Sequence, residues 1–207
     1  MKKSNYIIFD CETGGFSEKE NPITQIALLC IDDKLNELDR FETFITPYND
    51  LKITPGALQA TGLKMSDINN GVSSKKAVEL ITKFFKDNMP KNHPAFRPVV
   101  IGHNVAFDIK FVSELFSIHK KDFSDIRNDN PIDTMTLMKM FKPNISSLKL
   151  EVCCEEVGIE LPDAHKAMND VIATTDLFRV LTKKFRTNKS KNSDDSEQTK
   201  SRVKFQF

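Results

Sequence analysis

The chain has 207 residues, 39% of them hydrophobic, and a formal charge of +1 at pH 7. That length suits one sizeable core and excludes two comfortable domains. The near-zero charge neither supports nor excludes a polyanionic partner, and any basic surface has to be local. The cysteines Cys11, Cys30, Cys153 and Cys154 form no C-x-x-C pair, and the adjacent Cys153 and Cys154 are poorly placed for a mutual disulfide. They read as reduced and mostly structural. Lys2-Lys3 run straight into a short apolar segment, far below a signal-peptide core, and no long apolar stretch follows. A soluble, cytoplasmic protein with no membrane partner is the expectation.

In chain order, the apolar run Tyr6-Ile7-Ile8-Phe9 reads as a strand that leads into Asp10-Cys11-Glu12-Thr13-Gly14-Gly15. Residues i and i+2 of a strand share a face, so Asp10 and Glu12 project side by side. Two carboxylates that close repel, and the pair reads either as two surface acids or as half of a divalent-metal site. Pro22 to Ile31 and Glu37 to Ile45 are β-rich and flank the polar turn Asp32-Asp33-Lys34, which predicts an antiparallel hairpin stopped by Pro47. Ile53 to Gly62 predicts a short helix, with Thr54 as N-cap, Pro55 at the first helical position and Gly62 as the stop. Ser73 or Ser74 then opens an amphipathic helix to Asn88, where Ala77, Val78, Leu80, Ile81, Phe84 and Phe85 recur at helical spacing.

Pro98 to Gly102 reads as a strand buried on both faces, followed at His103-Asn104 by an apolar helix from Val105 to Ile118. Ile132 closes a last short strand, Asp133 caps a helix from Thr134 to Met140, and Ser146 or Ser147 begins another that Gly158 ends. A loop with Asp163-Ala164-His165 leads to the final helix, Ala167 to Lys184. The order, with a hairpin first, predicts an α/β fold: a mixed sheet with helices on both faces and the first strand at its centre. Residues 1–185 are expected to form this domain, and 186–207 a flexible, charged C-terminal tail whose apolar end, Val203 to Phe207, reads either as a stray hydrophobic terminus or as a short peptide that docks on a partner.

Three further groups stand at the starts of elements that could meet the Asp10 and Glu12 pair. Asp108 lies in the first turns of the helix after the buried strand, Asp170 one turn into the final helix, and His165 just ahead of it. Each alone reads as a helix-dipole acid or a surface histidine. Together they make four carboxylates and one imidazole that can converge.

The motifs Phe9-Asp10-x-Glu12-Thr13-x-Gly15, His103-Asn104-x-x-Phe107-Asp108 and His165-x-x-x-x-Asp170 resemble the three motifs of the DEDD superfamily of 3′-to-5′ exonucleases, in its His-containing branch. The likeness extends to the proofreading epsilon-type subunits of bacterial DNA polymerase III and to stand-alone relatives, over about residues 5–184. It includes Ile53 to Leu63, which is similar to the family's I-x-P-x-A-L-x-x-T-G-I segment. Gly14-Gly15 departs from the commoner Thr-Gly, and Val171-Ile172 replace small residues. The resemblance implies a ribonuclease H-like five-stranded sheet, with Asp10, Glu12, Asp108 and Asp170 as ligands of two Mg²⁺ or Mn²⁺ ions. Hard oxygen donors suit those ions. It implies His165 as general base, and Thr13, Thr61, Asn104 and Phe107 as the grip on the terminal nucleotide. Phe107 reads equally as core, and Asn104 equally as a helix cap. The implied function is release of nucleoside 5′-monophosphates from single-stranded DNA, in proofreading or repair. Alternatives are an exoribonuclease on the same scaffold and a non-catalytic nucleic-acid or replisome-binding module. A polymerase or sliding clamp is the partner expected of the tail.

Overall fold

The computed structural model describes residues 5–90, 96–161 and 166–191, the last with side chains to residue 186. Strands β1 (Tyr6–Thr13), β2 (Ile23–Ile31) and β3 (Glu37–Phe44) form an antiparallel meander. Strands β4 (Val99–Gly102) and β5 (Ile132–Asp133) extend it in parallel on the other side. The order β3-β2-β1-β4-β5 puts β1 in the middle, and this mixed five-stranded sheet is the predicted one.

The helices are α1 (Pro55–Thr61), α2 (Met65–Asn69), α3 (Ser74–Asp87), α4 (Val105–Ile118), α5 (Thr134–Phe141), α6 (Leu150–Glu155) and α7 (Ala167–Lys191). Their starts follow local chemistry. Thr54 accepts from the Ala57 N–H at 3.1 Å, Ser73 from Lys76 at 3.3 Å and Asp133 from Met135 at 2.8 Å, each filling an otherwise orphaned donor. Gly62 closes α1 in the left-handed region at φ 65°. Three boundaries differ from the sequence reading. Helix α6 begins at Leu150, after the serines, because Ser147 Oγ accepts from Lys149 N in a local turn instead of capping a helix. Helix α2 stands in a stretch to which the sequence pattern assigns no element. Helix α7 continues through Lys191, across the boundary at residue 185 suggested by composition.

Two apolar layers flank the sheet. Ile7, Phe9 and Cys11 of β1 pack with α3, α4 and the 3₁₀ turn Phe123–Asp125. Ile8 of β1 packs with Ala27, Leu29, Ile31 and Ile101 under Ala167, Val171 and Phe178 of α7. Helices lie on both faces, so β2 is buried along its whole length although it is antiparallel. The cysteines are all buried and free. Among the described residues, no helix is long and apolar enough to cross a membrane.

Candidate active site

Strand β1 runs on through Asp10 and Glu12, which alternate onto the α7 face beyond Ile8. Between Glu12 and Thr13 the register with β2 slips: Glu12 pairs with Gln25, Thr13 with Ile23. Thr24 is the extra residue of this bulge, and its hydroxyl donates to the Glu12 carbonyl at 3.0 Å. Bulges re-aim side chains at sheet rims, and this one sits at the acid pair.

Gly14-Gly15 then turn the chain where no side chain fits. A Cβ on Gly15 would lie 2.4 Å from Asn21 Oδ1, and one on Gly14 2.8 Å from the Pro22 ring. The Asn21 amide donates to Lys52 O at 2.9 Å, and Thr54 N to Gly14 O at 2.8 Å. These bonds clamp the entry to α1 against the end of β1, which gives the departure from Thr-Gly a structural reason.

Carboxylate oxygens of Asp10, Glu12 and Asp170 lie within 4.8 Å of one another. Asp170 reaches them from the first turn of α7. Asp108, in the first turn of α4 and only 4% exposed, accepts the Cys11 N–H at 3.0 Å through Oδ1. It therefore stands behind the triad with one oxygen engaged by the β1 backbone. Burial first, then Asp108, Glu12 and Asp170, push Asp10 well above the usual carboxylate range. Burial, then Asp170, pushes Glu12 up to about 7. Burial pushes Asp108 up to about 8, opposed by the Cys11 N–H it accepts. Like charges in a desolvated space call for a cation. The donors are all carboxylate oxygens, because Cys11 points into the opposite core. That set fits a hard divalent ion.

Two cavities meet at these acids. The first, about 360 Å³, is lined by Glu12, Thr13, Thr61 and Phe107, with the small Gly56, Ala57 and Ala60 of α1 on its wall. Thr13 and Thr61 turn their hydroxyls to local partners, Gly15 O at 2.7 Å and Leu63 N at 3.3 Å. The second, about 650 Å³, is lined by Asp10 and Asp170 with Asn104 and Leu161.

Phe107 both lines the first cavity and packs on Phe111 at 4.8 Å between centroids, so its two readings coexist. Asn104 makes no capping bond through its side chain, which corrects the capping alternative. Its backbone is left-handed at φ 63°, and its N–H donates to Asp133 at 3.1 Å. Asp133 thus does the capping on α5 and the tethering here. His103 is half-buried, and the desolvation lowers its pKa. Its Nε2 donates to Leu148 O at 2.6 Å, and its Nδ1 lies 3.0 Å from the Thr134 hydroxyl, which itself donates to Gly102 O at 3.1 Å. His165, with Asp163 and Ala164, lies outside the described residues, although Leu161 and Asp170 on either side of that segment both line the second cavity.

Sequence reasoning missed Phe16. It is 94% exposed and borders both cavities. Its signal was an aromatic immediately after a glycine pair at a strand end, where no core is available to it.

Fold and site together define an α/β protein of the ribonuclease H-like class, with a carboxylate cluster at the end of its central strand. The chain belongs to the family described as Exonuclease, whose RNase_T model matches residues 7–178. That family is metal-dependent, and the DEDD resemblance read from the motifs holds. Among its relatives is DNA polymerase III PolC-type of Clostridium perfringens, 27% identical over 186 residues, which span 87% of this chain and 11% of that protein. Ribonuclease T of Shewanella denitrificans is 28% identical over 179 residues, spanning 83% of this chain and 77% of that protein. The fold is also that of E. coli exonuclease I, solved in complex with a dT13 oligonucleotide, at TM-score 0.76 and 23% identity. That match covers 90% of this chain and 43% of exonuclease I.

Proposed function

We propose that the chain is a metal-dependent 3′-to-5′ exonuclease releasing nucleoside 5′-monophosphates from single-stranded DNA ends. The observation that carries this is the junction of an all-carboxylate cluster with a cavity of nucleotide size. Asp10, Glu12 and Asp170 would hold Mg²⁺ or Mn²⁺, and Asp108, with one oxygen engaged by the Cys11 N–H, would add the fourth carboxylate for a second ion. Bound there, such ions would neutralise charge developing on the phosphate and lower the pKa of water.

Everything else falls to the chain's own groups. The terminal nucleotide sits in the first cavity against Phe107, whose face can stack on any base, with Thr13 and Thr61 beside the sugar. Asn104, free of capping, presents its amide to the substrate backbone from the second cavity. Phe16 gives the departing strand a stacking surface at the rim. His165 takes the proton of the attacking water, a role suited to an imidazole that titrates near neutrality.

The test is an end-labelled single strand incubated with Mg²⁺, using wild type and Asp10→Ala. Successive shortening from the 3′ end by wild type alone supports the reading, and an unshortened strand refutes it. A second reading, exoribonuclease action, is favoured by the Ribonuclease T relative, which the chain matches over most of its length. Matched DNA and RNA strands in the same assay separate the two. The buried free cysteines suit a reducing, cytoplasmic setting. The end of the tail, Val203 to Phe207, lies outside the described residues, and its proposed role is to tether the enzyme to a polymerase or sliding clamp. Deleting the tail should then abolish partner capture and spare nuclease activity.

A further inference from the structure

Beside the acids of the metal cluster, the second cavity holds a charged pair, Lys149 and Glu151, that ligation of metal does not use. Among the described residues lining it, the carboxylates are Asp10, Asp170 and Glu151, and the one ammonium is Lys149. With the terminal nucleotide in the first cavity and the scissile phosphate at the acids, the rest of a strand has its room in this larger space. The next phosphodiester then passes Glu151, an acid outside the metal cluster, and a cation beside it favours binding there.

Lys149 is placed to supply it. The residue stands at the N-cap of α6, and the turn that carries it is fastened to the floor of the site by the half-buried His103, whose Nε2 donates to the carbonyl of the adjacent Leu148 at 2.6 Å. The backbone under Lys149 is therefore anchored while its side chain extends into solvent. Its present partner is a loose one. Nζ lies 3.9 Å from Glu151 Oε1, with the two side chains 75% and 47% exposed. Exposed pairs of that kind are weak, whereas a phosphodiester offers two charged acceptors to an ammonium.

Building on the exonuclease reading above, we infer that Lys149 is a substrate-binding residue for the phosphodiester next to the scissile one, and that Glu151 opposes it. In the free protein Glu151 holds the ammonium, and in the complex the phosphate displaces it. The pair thus makes the enzyme's grip on a strand, as distinct from its grip on a terminal nucleotide, tunable by charge.

The experiment compares two substrates, a thymidine decanucleotide and the 4-nitrophenyl ester of thymidine 5′-monophosphate, which has no second phosphodiester. Lys149→Ala is expected to raise KM for the decanucleotide by about threefold to fivefold, the size of an exposed ion pair, and by more than it raises KM for the ester. Its plot of log KM against log salt should be shallower by about 0.7, one phosphate contact on a single strand. Lys149→Arg should restore the wild-type values, and Glu151→Gln should shift KM for the decanucleotide downward. Equal effects of Lys149→Ala on both substrates, or a rise in KM with Glu151→Gln, overturn the inference. A wild-type protein that cleaves neither compound overturns the nuclease reading and this one with it. Wild type active on both, with Lys149→Ala indistinguishable from it, overturns this one alone.

Discussion

The two faces of β1 are made by one strand of eight residues and behave as opposites. On one face Ile7, Phe9 and Cys11 disappear into the α3 and α4 layer, with Phe9 edge-on to Phe123 at 6.2 Å. On the other, Ile8 is covered by α7, but Asp10 and Glu12 beyond it meet a third acid from the start of that helix. Alternation of side chains supplies both faces at no extra cost in chain. One face fixes the position of the strand to within a packing contact, and the other uses that rigidity to hold like charges together. A cluster that repels itself can persist only on a scaffold stabilised elsewhere.

Substitutions on the two faces should therefore separate stability from chemistry. The largest effect expected is on activity: Asp10→Asn should lower turnover by roughly 10³ or more, the several kcal/mol of charge stabilisation that bound metal supplies. The thermal midpoint of the metal-free protein should not fall, since the change removes a mutually repelling carboxylate. On the opposite face, Phe9→Ala should cost about 3–5 kcal/mol of unfolding free energy, read by denaturant titration, while the folded fraction keeps its turnover. If Phe9→Ala leaves stability intact, or Asp10→Asn destabilises as much as it does, the division of labour is wrong.

His165→Ala should lower turnover by roughly 10², a usual general-base contribution, with metal affinity by calorimetry unchanged. The smallest effect is on pH dependence. Glu12 and Asp108 titrate in the metal-free fold at about 7 and about 8, whereas the unfolded chain releases those protons near about 4. The folded state binds the extra protons, so their contribution to stability is full below about pH 4 and is lost progressively as pH rises from there through about 7 and about 8. The metal-free midpoint should fall between about pH 5 and about pH 8, and Mg²⁺ should raise it more at the upper pH. A midpoint indifferent to Mg²⁺ at both values would show that the cluster does not bind the ion.

Much of this was legible without coordinates. The caps at Thr54, Ser73 and Asp133, the stop at Gly62 and the hairpin of β2 and β3 follow from rules that act within a few residues. The four carboxylates were also legible, since each stands where a strand ends or a helix begins. What local rules miss are features decided by distant partners. Asn104 reads as a cap from its place before α4, but Asp133, brought beside it by the parallel pairing of β4 with β5, takes its N–H and holds it left-handed. Phe16 reads as one more apolar residue, and only the close packing of Gly14-Gly15 against Asn21 and Pro22 leaves it on the rim of the site.

The sequence by itself determined which groups could do chemistry here and the elements that carry them, because periodicity, caps and carboxylates are local properties of the chain. The tertiary structure alone decided their distances: three acids from β1 and α7 within 4.8 Å, Asp108 set behind them on the Cys11 N–H, and two cavities divided by an exposed aromatic. Separations across a sheet and between layers are set by packing of residues far apart in the chain.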